Sequence, residues 1–381
     1  MKYLFILGRN PELSRQEILS WLEARGVNVL SQFISNEKFI LDLSEEINPA
    51  ELIGWLGGCL KIGKVILSEI NVSNLINKLD KINIYLGEEE KFFYSIIENT
   101  ESELADYLKQ RFKREKLKAV LKNVGRQVRL QDGSFGSVSP SSAKRLGVEY
   151  FLVSSGKEYN FGMINAYADN EENEEIDMSK PERRSELGIS PRLAKILVNL
   201  SCVKAEEELL DPFCGIGGVL CEAMLNNVNV SGIDADKIVA ESARKNLQWV
   251  KNKYNSKASV EVLAGDSRTV ILKYEVDAIA CEPQLGPLLK SVPRKDEAEK
   301  IVREFENLTG EVFRNIRKNL KKGGKIAFTM PFISSSGGKV KCDAGKIASL
   351  AGLKVRKGFP VLETREGKIV SREFMVLKNE N

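Results

Sequence analysis

Residues 209–220 read LLDPFCGIGGVL, and this stretch decides the architecture around it. An apolar run ends on Asp211, passes through Pro212 and enters a turn carrying Gly215, Gly217 and Gly218 before helix-forming residues resume. Glycines between a strand and a helix let backbone approach a ligand closely, and the helix N-terminus offers unpaired N–H donors. A dinucleotide fingerprint counted from Gly215 requires glycine at 220, where Leu220 stands, so nicotinamide and flavin sites are disfavoured. Asp234 ends the next apolar run, SGIDAD, nineteen residues past Gly215. An acid there suits the two hydroxyls of a ribose. A third run ends in LAGDS and supplies Asp266, placed to meet an adenine amino group. Each piece alone has a plain structural reading, as a tight connection or a helix cap. In this order and spacing they favour a nucleoside cofactor.

Outward from that turn, strand and helix patterns alternate. GGVLCEAMLNN reads as a helix, VNVSGIDAD as a strand, and KIVAESARKNLQWVKNK as a long helix with an apolar period near 3.6. SVEVLAGD and EVDAIACEP follow as strands, then a helix from about Asp296 to Leu320 stopped by the KKGG that begins at Lys321. KIAFTMPF, KCDAGKIASLAGL and REFMVLK complete the pattern as strand, helix and strand. Regular alternation predicts an α/β, doubly wound and mostly parallel sheet over residues 189–381.

The first half is less regular. Residues 1–80 read as a small α+β domain, with a helix over SRQEILSWLEARG. Residues 81–168 form a second unit. It has a basic helix over 101–123 and a strand pair, VEYFLVSSGKEYNFGMINAYA, joined by a hairpin at SSGKE. Residues 169–188 are acidic, then basic, contain Pro181, and read as a linker.

The 381 residues are 43% hydrophobic and 29% charged, with a formal net charge of +4, which is ordinary for a soluble globular protein. No run approaches the ~20 apolar residues of a membrane span. The apolar run after Met1 stops at Gly8 and is too short for a signal-peptide core, so a cytoplasmic protein is expected. The six cysteines form no CxxC pair, and the chain has no histidine. His-based triads are excluded, and neither a disulfide framework nor a metal site is expected. Between Lys109 and Arg129 stand nine Lys/Arg and a single acid, Glu115. Such a run is either a solvated helix face or a phosphate-binding stripe.

Residues 280–287, ACEPQLGP, place a carboxylate and a proline at the end of a buried strand. The set Asp211, Gly215, Asp234 and Asp266 resembles the cofactor motifs of class I S-adenosylmethionine-dependent methyltransferases. The resemblance implies that cofactor by way of Asp211, Phe213, Gly215, Gly217, Gly218, Asp234, Ala235, Asp266 and Ser267. Members that modify an exocyclic base amine carry Asp/Asn-Pro-Pro-Tyr/Phe at the end of the fourth strand. The amine's lone pair is delocalised into the ring, and acceptors for its two N–H groups re-localise it toward the methyl donor. By that analogy Glu282 is the acid and Pro283 the rigid proline, while Gln284 replaces the second proline and Leu285 the aromatic that stacks on the base. Phe332, after TMP, is a candidate for the missing ring.

The likeness extends along the chain. YLFILGRNPELSRQEI, GVEYFLVSSGKEYNFGMINAYADN, KPERRSELGISPRLAKILVNLS and GKIVSREFMVL are similar to segments of THUMP-containing tRNA (guanine-N2) methyltransferases that act at position 10. This implies a ferredoxin-like domain, a THUMP-like RNA-binding domain and a Rossmann-like methyltransferase domain, with tRNA as partner. Lys113, Arg114, Lys118, Arg126 and Arg129 become candidate backbone contacts, and so do Arg183 and Arg184. Two other readings stay open: methylation of a different nucleic-acid amine, and a catalytically degenerate RNA-binding protein.

Overall fold

The computed structural model describes residues 1–98, 103–122, 127–129, 135–137, 147–169, 176–183, 188–364 and 367–380. Its contacts gather into two compact units. The first comprises Met1–Ile6, Asn28–Ile53 and Leu60–Ala168, and the second Leu7–Val27, Gly54–Cys59 and Asp169–Asn381.

The first unit is built on an eight-stranded sheet. Its strands are β1 (Lys2–Leu7), β2 (Val29–Ser35), β3 (Lys38–Leu43), β4 (Cys59–Glu69), β5 (Lys91–Glu98), β6 (Lys118–Leu121), β9 (Val148–Ser155) and β10 (Glu158–Tyr167), in the order β2-β3-β1-β4-β10-β9-β5-β6. Two short strands, β7 (Gln127–Arg129) and β8 (Phe135–Ser137), pair separately. One continuous sheet thus runs across position 80, where the sequence reading sets a domain boundary. The hairpin expected at SSGKE forms between β9 and β10, with Gly156 at φ +65° in its turn.

The basic helix is shorter than the 101–123 expected. It spans Leu104–Arg114, and Lys118–Leu121 is strand, parallel to β5. Lys116 at φ +60° and a Leu117 N–H bonded to the Phe112 carbonyl close the helix end, which turns the chain into the sheet. Phe112, Tyr94, Tyr150 and Phe161 form the apolar core beneath. Arg111 is buried too, donating to the carbonyls of Leu79 (2.5 Å) and Ile82 (2.6 Å).

The second unit holds β11 (Glu208–Asp211), β12 (Asn229–Asp234), β13 (Val260–Ala264), β14 (Val276–Cys281), β15 (Leu320–Ser335), β16 (Gly338–Lys341), β17 (Lys354–Val355), β18 (Val361–Glu363) and β19 (Val370–Lys378). The main path is β13-β12-β11-β14-β15-β19-β17, parallel from β13 through β15 and antiparallel at β19. Between the strands lie the helices Pro191–Leu200, Gly218–Leu225, Lys237–Lys253, Lys295–Ile316 and Ala344–Ala351. The strand order reverses between β11 and β14. In a doubly wound sheet that switch point opens a crevice at the carboxyl ends of the strands, where ligands bind.

Two local readings change. The long helix stops at Ile316, and the KKGG residues already belong to β15, with Gly323 at φ +81°. Asn319 bonds the carbonyls of Leu272 (3.1 Å) and Tyr274 (2.7 Å), which fixes the exit from the helix two turns of chain before the glycines take effect. The helix Pro11–Ala24 clusters with the C-terminal unit, although it is read as part of residues 1–80. Its buried Glu17 accepts from the N–H groups of Gly57 (2.7 Å) and Gly58 (2.8 Å) and from the Asn199 amide (2.8 Å).

Candidate active site

Strand β11 is short and buried, and it delivers Asp211 to the switch point with only 1% of its surface exposed. The Phe213 N–H donates to Asp211 Oδ1 at 2.9 Å. The turn then anchors on the neighbouring strand, through Cys214 N–H to the Ile233 carbonyl (3.0 Å) and Gly215 N–H to Asp234 Oδ2 (3.0 Å). Gly215 and Gly217 hold φ of +55° and +86°, a left-handed geometry that costs a side chain about 1–2 kcal/mol per residue. Gly218 begins the following helix.

Asp234 receives a second bond from the Asp236 N–H at 2.9 Å, and its carbonyl accepts from Gly265 at 2.9 Å. Ala235 beside it is exposed. Ser267, buried, donates to the Pro212 carbonyl at 2.6 Å and ties the end of β13 to the glycine turn. The carboxylate of Asp266 is held by Arg268, whose Nη2 lies at 2.6 Å and Nε at 3.0 Å from its oxygens. That contact keeps the Asp266 carboxyl below its ordinary range. Burial has the opposite effect on Asp211, raising it from 3.8 to about 8, and the nearby charges of Asp234 and Glu282 add to the rise.

Across the crevice, β14 runs parallel to β11, with Leu210 level with Ile279. The chain leaves this strand at Cys281 and presents Glu282, half-buried, followed by the buried Pro283. Glu282 Oε1 accepts from Arg372 Nε at 2.5 Å. Gln284 is exposed and bonds the Gly286 carbonyl at 3.3 Å, while Leu285 is half-buried. Gly286 has φ +107°, and a Cβ there would sit 2.6 Å from Ile301, so the loop is pressed onto the long helix. Phe332 lies on β15 opposite Ser371, half-buried, with the Lys339 ammonium 5.8 Å from its ring centre.

Two contributors escape the sequence reading. Asn246, fully buried, donates to the carbonyls of Ile216 (2.8 Å) and Glu182 (3.0 Å) and accepts from the Glu182 N–H (3.0 Å). It therefore fixes the glycine turn and pins part of the segment read as a linker. Its signal is an amide on the apolar face that Ala243, Leu247 and Val250 define. Arg372 has no local signal, because it lies ninety positions from its partner.

The basic candidates fall in both units. In the first unit Lys113, Arg114 and Lys118 are exposed, and Arg114 pairs with Asp80 at 3.1 Å. Arg126 and Arg184 lie outside the described residues, as does the side chain of Arg129 in β7. In the second unit Arg183 is exposed and donates to Met178 Sδ at 3.0 Å. Among the described residues no cluster of acids and cysteines has the arrangement of a metal site. No helix among them is long and apolar enough to cross a membrane.

Residues 181–330 match the UPF0020 family, described as an RMKL-like methyltransferase domain. A tRNA (guanine(10)-N2)-dimethyltransferase of Methanothermobacter thermautotrophicus is 36% identical over 161 residues, covering 42% of this chain and 44% of that protein. The corresponding enzyme of Pyrococcus abyssi is 35% identical over 132 residues, covering 33% and 38%. The match thus spans less than half the length of these two relatives. A protein of Methanothermococcus thermolithotrophicus, named "Probable tRNA (guanine(10)-N2)-dimethyltransferase", is 32% identical over 141 residues, covering 36% of this chain and 78% of that one. The crystal structure of TrmN from Thermus thermophilus shares the fold over the whole of both chains, with a TM-score of 0.51 at 15% identity. The sequence relatives, one of them matched over most of its length, and the methyltransferase-type sheet agree: this chain belongs to the tRNA (guanine(10)-N2)-dimethyltransferase family.

Proposed function

We propose that this protein is a cytoplasmic tRNA methyltransferase that moves a methyl group from S-adenosylmethionine to the N2 amine of a guanine, at position 10. The observation that carries the reading is the acid–proline pair Glu282–Pro283, at the end of β14 and across the switch point from the glycine turn. The cofactor pocket would consist of Asp211, Phe213, Gly215, Gly217, Gly218, Asp234, Ala235, Asp266 and Ser267. Its donor set fits a cationic nucleoside. Three carboxylates, Asp211, Asp234 and Glu282, lie close enough to raise the pKa of the first. Carboxyl groups gathered in this way favour a cationic ligand, whose charge in turn favours ionisation of Asp211.

When bound, S-adenosylmethionine supplies an electrophilic methyl carbon. The chain's own contribution is positioning. Glu282 accepts an N–H of the amine and turns its lone pair outward, Pro283 keeps the loop from yielding, and the buried β14 fixes both. The amine held by Glu282 would gain the methyl group as the cofactor gives it up, and would release its proton to water. No strong base is required, which agrees with a chain that contains no histidine.

The N-terminal unit would deliver the RNA, as a ferredoxin-like segment over 1–80 and a THUMP-like segment over 81–168. Lys113, Arg114 and Lys118 would meet phosphates together with Arg126, Arg129, Arg183 and Arg184. A second reading, an RNA-binding protein without turnover, is favoured by Gln284 and Leu285 standing where a proline and an aromatic are usual.

Incubation of unmodified tRNA with S-adenosylmethionine, followed by mass spectrometry of the nucleosides, separates the two. N2-methylguanosine or its dimethyl form is expected. Silence with cofactor and tRNA binding intact would overturn the catalytic reading.

A further inference from the structure

We infer that Arg372 is the positioning residue of the active site, and that it compensates for the chain's use of glutamate rather than aspartate or asparagine before Pro283. This rests on the assignment of Glu282 to the amine.

The sheet order places β15 between β14 and β19, and Arg372 sits on β19 opposite Pro331 of β15. Adjacent strands lie about 4.8 Å apart, so β14 and β19 are separated by roughly 10 Å. Arg372 crosses that interval and donates its Nε–H to Glu282 Oε1 at 2.5 Å. Both side chains are largely withdrawn from solvent, 21% and 12% exposed, which strengthens a charge-assisted bond. The pair also joins the last strand of the sheet to a loop ninety residues earlier in the chain.

Glutamate has one more rotatable bond than aspartate. An unrestrained carboxylate on that longer arm samples several rotamers, and freezing it at the moment of reaction lowers the rate. Arg372 removes that freedom beforehand. The extra methylene in turn brings the carboxylate toward β19. The two residues therefore form a matched set, with the methylene at 282 answered by the guanidinium at 372. No residue with this role is apparent from the order of motifs along the chain.

The test uses the full-length protein with unmodified tRNA and compares wild type with R372M, R372A, R372K and E282D in single turnover. R372M and R372A are expected to lose roughly 100-fold in the rate of transfer, the scale of a misplacement of about 1 Å. Dissociation constants for S-adenosylmethionine and tRNA should stay within about threefold, because the guanidinium acts on the carboxylate and not on either ligand. R372K, which keeps a charge but reaches less far and lacks the fork, should recover only part of the rate. Added guanidinium ion should raise the rate of R372A and leave E282A unchanged, a rescue that a purely structural arginine would not show. E282D should fall as far as R372M, since its shorter arm leaves the clamp.

Transfer by R372M at the wild-type rate would overturn the inference. So would a loss explained by weakened cofactor binding or by unfolding. An activity-independent measurement separates this from failure of the assigned reaction. The Arg372 Nε–H resonance, identified by its disappearance in R372K, should be protected from exchange in wild type and lose protection in E282A, which removes the acceptor. Unchanged protection in E282A would overturn the clamp even in a protein that transfers no methyl group.

Discussion

The two walls of the crevice are held by different means. On the side of β11 to β13, the acids and glycines are fixed by backbone partners and close neighbours: Phe213 to Asp211, Gly215 and Asp236 to Asp234, Arg268 to Asp266. On the side of β14, the acid is held by a side chain from another strand ninety residues away. A motif whose acids bond the backbone of consecutive turns survives as a pattern in the chain. A motif completed across a sheet does not. The difference shows why one wall is legible from spacing and the other only in part.

Glu282→Ala should have the largest effect, because it empties the β14 wall. A loss of roughly 10²–10³-fold in single-turnover transfer is expected, the scale for removing one preorganised group at a reacting centre. tRNA affinity should change little. Equal loss of RNA binding would mean that Glu282 organises the fold instead. Asn246→Ala comes next and tests whether the β11–β13 wall is as local as it looks. The substitution strands the Ile216 and Glu182 backbone groups and should cost about 1–3 kcal/mol in denaturant unfolding. No change in midpoint would show that water replaces the amide.

Gly217→Ala probes a purely local element and should cost about 1–2 kcal/mol through its left-handed φ. The loss should appear as stability and cofactor affinity together, and a wild-type melting temperature would contradict it. The smallest effect is protonic. Asp211 keeps its proton in the folded site up to about pH 8, against 3.8 ordinarily. Its contribution to stability is therefore fully present below about 3.8 and fades as pH rises through about 8. A cationic cofactor favours the ionised form, so affinity should rise across the same window, with a proton released on binding. Calorimetry in buffers of different ionisation enthalpy measures that release, and a buffer-independent heat would refute it.

Much of the second unit could be read in advance for the same reason. The glycine turn, Asp234 and Asp266 announce themselves because strand, turn and helix succeed one another within a few residues. The misreadings fall where distant contacts overrule local preference. Residues 118–121 carry helix-compatible types, yet pairing with β5 makes them strand. The helix Pro11–Ala24 looks like part of its own neighbourhood, yet Glu17 meets Gly57, Gly58 and Asn199. Asp266 reads as an open acceptor, whereas Arg268, two positions on, already occupies it. Nothing in a list of residue types distinguishes these cases, because each is decided by which partner arrives.

Arg111 carries a further consequence. It stands near the start of the basic run, but its guanidinium is spent on the carbonyls of Leu79 and Ile82 inside the first unit. Whatever polyanion meets that helix displaces no counterion from Arg111. The slope of log affinity against log salt, about 0.9 per phosphate neutralised on a duplex, will therefore fall short of the tally of positive residues. Charge that serves the fold is invisible to the ionic atmosphere.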